Sequence, residues 1–263
     1  LAPGQVNRAA AWAVALAARG FPAGRGFLHG PQGYFQRFRG QEGRLDALTD
    51  GLGRRYEIEH CPKPYPSGRF CHAPVDAALQ LRRDERFALD AIEQITIAMS
   101  SRSMRAIGGG PGGEQLSVKR APAGVVDAQT SAPYNVAVAL LNGAVTLDDF
   151  TESAIRNPAV LALAAKTVEV VDETEDHFPA FITPATVRVR LNNGATLSQR
   201  IIHAKGNPNN PCSEQDMTEK FWQCVGRSSR TLDAASLNEA LDMVNHLEDV
   251  PDISAVVGLL VHD

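Results

Sequence analysis

The order of segments along the chain predicts an α+β protein in which helical segments flank a mixed helix–strand block. Three observations carry this. An alanine-rich helical stretch opens the chain, four short stretches in the middle are β-branched and alternate in polarity, and the tail returns to capped helical patterns. An Asn192-Asn193-Gly194 step between two of the strand-like stretches is a strong hairpin signal.

Residues 6–19 (VNRAAAWAVALAAR) are apolar around most of a helical circumference, and Gly20 stands where such a helix would stop. A helix of this kind needs cover from other elements. A turn-rich connection follows, holding Gly30-Pro31-Gln32-Gly33-Tyr34-Phe35. Residues 72–83 (HAPVDAALQLRR) read as an amphipathic helix and 84–93 as a second, with a strand at 94–100 (QITIAMS). The run Gly108-Gly109-Gly110-Pro111-Gly112-Gly113 lacks the Lys-Ser/Thr of a phosphate loop and reads as a flexible surface loop. Ser131-Ala132-Pro133 starts a helix that carries Tyr134 in its first turn and ends at Asn142-Gly143. Short helices are expected at 147–155 and 158–166, and strands at 167–172, 185–191 and 196–204. The tail helices fall at 213–225, opened by a Ser213…Asp216 cap, at 233–247 and at 253–261.

The 263 residues are enough for one large or two modest domains. With 26 Lys+Arg against 30 Asp+Glu the net charge is −4, which argues against a nucleic-acid or anionic-membrane partner. There is no apolar run of membrane-spanning length and no secretory pattern at the start, so the expectation is a soluble, cytoplasmic protein. Cys61, Cys71, Cys212 and Cys224 form no C-x-x-C pair and no zinc spacing, and read as reduced structural thiols.

The densest polar cluster is Lys63-Pro64-Tyr65-Pro66-Ser67-Gly68-Arg69-Phe70-Cys71-His72. Two prolines and a glycine hold it out of regular structure, while Lys63, Arg69 and His72 can present positive charge at a helix start. That combination suits a carboxylate-binding loop. Tyr134 offers a second group for proton transfer.

Lys63-Pro64-Tyr65-Pro66, Arg69, His72 and Val75-Asp76-Ala77 resemble the K-P-Y-P…R-x-x-H-x-x-[IV]-D-A segment of the MmgE/PrpD family. Three further stretches resemble that family in the same order. They are Gly30–Phe35, then Ala128-Gln129-Thr130-Ser131-Ala132-Pro133-Tyr134 with Leu140-Leu141-Asn142-Gly143, then Gly206-Asn207-Pro208-Asn209-Asn210-Pro211 with Lys220-Phe221. The family includes 2-methylcitrate dehydratase, cis-aconitate decarboxylase and iminodisuccinate epimerase.

The resemblance implies an all-helical domain, incomplete here, with an inserted α+β lid: residues 1–59 and 206–263 helical, 60–205 the lid. It implies a lyase of the 2-methylcitrate dehydratase type acting on a small polycarboxylate, without cofactor or metal. Within the same family the alternatives are an epimerase, a decarboxylase or a shortened non-catalytic relative. It also implies His72 and Tyr134 as catalytic residues, and Lys63 and Arg69 as substrate-binding ones. The family's K-x-L-H-x-G motif would fall at Leu1–Gly4, where Ala2 replaces the histidine. The chain is therefore expected to carry part of the pocket and to need a partner, either a second copy or the helical half that precedes it in the family.

Overall fold

A computed structural model of the protein describes residues 2–24, 26–40, 43–54, 62–110, 112–229 and 232–261. The chain divides into two compact units, Leu1–Glu57 and Ile58–Asp263. Cys61 lies outside the described residues.

In the first unit, α1 (Ala2–Ala18) ends in the turn that Gly20 makes, with its amide bonded to the Ala17 carbonyl. A short helix, α2 (Tyr34–Arg39), follows the Gly-Pro-Gln-Gly turn. Its Tyr34 ring sits 4.8 Å from Phe38 and 6.3 Å from Phe27, a small aromatic cluster.

The second unit is built on a four-stranded mixed sheet, β1 (Ile92–Met99), β2 (Thr167–Val171), β3 (Ala185–Leu191) and β4 (Thr196–Ile201), in the order β2-β1-β3-β4. β1 and β2 run parallel, and the other neighbours antiparallel. The Asn-Asn-Gly step forms the β3–β4 hairpin, and Gly194 takes the left-handed conformation the turn demands. Period-2 alternation places Ile95, Ile97, Val187, Val189, Leu191 and Leu197 on one face, all buried.

That face packs on α3 (His72–Leu81), which in turn packs on α7 (Ala132–Asn142). Small side chains at the contact (Ala73, Ala77, Ala137, Ala139, all fully buried) let the helix axes approach closely. α7 starts as its sequence dictates: the Ser131 hydroxyl accepts the Tyr134 amide, Pro133 occupies the first turn, and Gly143 closes the helix. Arg82 donates to the carbonyls of Leu140 and Leu141 at the other end.

Between β1 and β2 the chain makes a short helical segment, α4 (Ser101–Ser103), a π turn (Met104–Gly108), α5 (Leu116–Arg120), α6 (Val125–Gln129), α7, two 3₁₀ turns and α8 (Pro158–Ala164). The tail adds α9 (Glu214–Val225), α10 (Ala234–Asn245) and α11 (Ser254–Leu260). Ser213 and Asp216 complete the capping box expected at α9.

Three expectations change. Residues 84–91 form turns instead of a helix, because the Asp84 carboxylate captures the amide and the guanidinium of Arg86 at 2.6–2.9 Å. The 147–155 segment splits into two 3₁₀ turns, the first fixed by a Thr146–Asp149 capping box. Gly108 and Gly109 are buried and do not form a flexible surface loop. Gly109 has φ of +101°, and a Cβ there would lie 2.9 Å from the Leu116 nitrogen, so glycine serves close packing.

Candidate active site

Three prolines (Pro62, Pro64 and Pro66) and Gly68 carry residues 62–68 across the start of α3 as a fixed loop. The end of α6 clamps it. The Gly68 amide donates to the Gln129 carbonyl at 2.7 Å, and the Gln129 side-chain amide donates to the Pro66 carbonyl at 3.1 Å. Arg69 reaches back with one guanidinium nitrogen to the carbonyls of Pro62 (3.3 Å) and Lys205 (3.4 Å).

Beside this loop opens a cavity of about 440 Å³. Lys63, Tyr65, Pro66, Ser67 and Gly68 form one wall, Gln129 and Thr130 another, and Lys220 of α9 a third. Two ammonium groups from segments 157 positions apart thus face one space. Ser67 is buried and its hydroxyl has no hydrogen-bond partner. Lys119 lies behind Thr130, its ammonium donating to the Thr130 carbonyl at 2.7 Å, and burial lowers its pKa. The Ser67 hydroxyl is closed off from solvent behind this lysine-lined wall, so the polar groups that the cavity offers a ligand come first from Lys63 and Lys220.

His72 is fully buried, and neither ring nitrogen has a hydrogen-bond partner among the described residues. Its ring stands edge-on to Tyr65 at 5.3 Å. Burial first, then the nearby Arg69, Lys63 and Lys220 charges, push its pKa down to about 3 against a weaker pull from the Ser67 backbone. The imidazole is neutral at physiological pH. It can accept a proton, and it does not act as a cationic clamp.

A second network lies behind the loop. The Tyr65 phenol donates to Asp76 Oδ1 at 2.5 Å, and the Lys205 amide donates to Asp76 Oδ2 at 2.6 Å. Burial raises the Asp76 pKa, with these two bonds opposing it.

The four residues expected to form the site are therefore distributed unequally. Lys63 lines the cavity. His72 lies behind its wall, next to Tyr65 and Ser67. The Arg69 guanidinium is spent on backbone carbonyls that fix the loop. Tyr134 is fully buried, its hydroxyl donates to the Asp149 carbonyl at 2.6 Å, and burial pushes its pKa up to about 12. Neither His72 nor Tyr134 lines this cavity.

Lys220, Ser67, Gln129 and Thr130 join the site without having been singled out by residue type. The shared motifs include Lys220 with Phe221 and Gln129-Thr130, and Ser67 lies in the dense polar cluster, without a role for any of them. Among the described residues no three His, Cys, Asp or Glu side chains gather as a metal set, and no helix is long and apolar enough to cross a membrane. Cys71, Cys212 and Cys224 are free thiols.

A family model, the MmgE/PrpD C-terminal domain, matches residues 65–245. The chain is 27% identical over 222 residues to a cis-aconitate decarboxylase-like protein, oryM, of Aspergillus oryzae, covering 82% of this chain and 43% of that protein. It is 28% identical over 204 residues to the cis-aconitate decarboxylase of Homo sapiens, covering 75% and 39%, respectively. With the cis-aconitate decarboxylase of Mus musculus it shares 24% identity over 265 residues, or 90% and 51%. The chain thus spans about half, or less, of the length of these curated relatives. The loop from Tyr65 onward, its Gln129 clamp and the Lys220 helix lie within the matched segment, with Lys63 two residues before it, and on that match the chain belongs to the MmgE/PrpD family.

Proposed function

We propose that this chain carries the polycarboxylate-binding part of a lyase. The observation that carries the reading is the single cavity that Lys63 and Lys220, from distant parts of the sequence, both line. Two separated cations suit a ligand with two or more carboxylates, and the half-enclosed setting strengthens each contact relative to bulk water. Ser67, Gln129 and Thr130 complete a neutral polar lining, and the hydrogen bonds of Gln129 to the loop and of Thr130 to α6 keep the cavity wall in place.

Two bond-breaking steps fit such a site. In the first, a cis-aconitate-type acid loses carbon dioxide, the electron pair of the broken C–C bond shifts to the allylic position, and a proton is delivered to carbon from a lysine ammonium. The names of the relatives favour this reading. In the second, of the 2-methylcitrate dehydratase type, a base removes a carbon-bound proton and the hydroxyl leaves with a proton as water. The neutral His72 behind the cavity wall is the candidate base for this step, and with its pKa held near 3 it is a weak one, which favours the first reading.

The test is to incubate the purified chain with cis-aconitate and with 2-methylcitrate in deuterated water and follow both by NMR. Loss of carbon dioxide from the first supports the decarboxylase, and loss of water from the second supports the dehydratase. Solvent exchange without either loss identifies an epimerase. No change in either acid contradicts the lyase reading for the chain alone and leaves the shortened, non-catalytic relative.

A further inference from the structure

Lys205 does not line the Lys63–Lys220 cavity, yet three of its groups are committed to the elements that do. Its backbone N–H donates to Asp76 Oδ2 at 2.6 Å, and Asp76 Oδ1 holds the phenol of Tyr65, a cavity wall. Its carbonyl accepts Arg69 Nη1, and the same nitrogen reaches the carbonyl of Pro62, the residue before Lys63. Its ammonium pairs with Asp216 in the first turn of α9. Asp216 and Lys220 are four residues apart and therefore lie on one face of that helix.

The next residue leaves no slack in the arrangement. Gly206 has φ of +85°, and a Cβ there would sit 2.5 Å from the Pro62 carbonyl oxygen. The 205–206 backbone is pressed directly on the loop that carries Lys63. α9 has no fully buried side chain, and besides half-buried residues such as Phe221 and Val225 it is the ion pair from Lys205 to Asp216 that ties its first turn to the 205–206 backbone.

We propose that Lys205 is a positioning residue that sets the separation of Lys63 and Lys220, and so selects for ligands whose carboxylates match that spacing. This rests on the reading of the cavity as a polycarboxylate site. A single partly exposed ion pair, its side chains 35% and 22% exposed, contributes modestly to global stability. Its removal therefore registers in ligand affinity more than in melting temperature.

The experiment is calorimetric titration of the full chain with tricarballylate, an unreactive tricarboxylate, alongside thermal melts. The wild type is expected to bind, and Lys220→Met to weaken binding about tenfold or more. Lys205→Met is expected to weaken it by roughly 5–10-fold with a nearly unchanged melt, because its backbone bonds remain. Lys205→Arg, which restores the ion pair, is expected to recover affinity to within about twofold. Asp216→Asn added to Lys205→Met is expected to bring no further loss, as for two halves of one interaction.

If Lys205→Met binds tricarballylate as the wild type does while Lys220→Met does not, the positioning role is wrong and the cavity reading stands. If the wild type fails to bind, or Lys220→Met binds equally well, the cavity reading falls and this inference falls with it.

Discussion

A buried imidazole without partners is unusual, and His72 tolerates its place only by staying neutral. The unfolded chain takes up a proton at this residue below about pH 6.5, and the folded chain resists until about pH 3. More protons bind the unfolded state across that window, so stability falls as the solution is acidified, by about 1.4 kcal/mol per pH unit. Urea unfolding of wild type and His72→Gln at pH 5, 6 and 7 checks this. The wild type is expected to lose stability with acid more steeply than the variant, and parallel slopes would count against a neutral buried imidazole. Tyr134→Phe tests the other phenol. It removes the bond to the Asp149 carbonyl and is expected to cost about 1–3 kcal/mol of stability, while tricarballylate affinity stays at the wild-type value because Tyr134 does not line the cavity. At this scale the loop at 63–72 was legible from residue type alone, since prolines beside cations and a histidine stand out in a sequence. Lys220 was not. Nothing in local patterning links two positions that meet only through tertiary packing.

Elements were legible where their ends carry chemistry. The Ser131 and Ser213 caps, the Asn192-Asn193-Gly194 hairpin and the alternating strands at 185–191 and 196–201 lie where side-chain hydrogen bonds and period-2 burial put them. Elements held by nonlocal contacts were not legible. The 101–129 segment, which reads as a glycine-rich loop, folds into short helices because Gly108 and Gly109 permit close packing against Met104 and Leu116. At 84–91 a carboxylate bonding to its own neighbour outcompeted helix propensity. Gly206→Ala is the sharpest test at this scale. Positive φ and the Pro62 carbonyl together predict a loss of about 1–3 kcal/mol, accompanied by weaker tricarballylate binding as the loop shifts. A thermal melt and a titration on the same sample check both, and an unchanged melt would contradict the packing described. Ile97→Ala, in the fully buried face of β1, is expected to cost more, about 2–5 kcal/mol, as read from its denaturant midpoint.

The chain forms a well-packed sheet-and-helix core but leaves several helical faces uncovered. Val6, Trp12 and Val14 on α1 are each 65–69% exposed, and Val257 on α11 is 54% exposed. An apolar helix surface of this kind seeks cover. With curated relatives about twice as long, the isolated chain is expected to self-associate or to bind a polypeptide that supplies the missing contacts. Sedimentation velocity checks this: a single stable monomer species at micromolar concentration would contradict it. The sequence made this demand visible, since residues 6–19 are apolar around most of a helical circumference and such a helix needs cover.

Where a polyanion binds decides whether the Lys63–Lys220 cavity is the functional site. Two-dimensional NMR of the isotope-labelled chain during addition of tricarballylate tests this directly. Shifts concentrated at Lys63, Ser67, Gly68, Gln129, Thr130 and Lys220 are predicted, with Tyr134 unaffected. Shifts clustered elsewhere, on the outer face of α9 at Glu214 and Thr218 for example, or none at all, would contradict it.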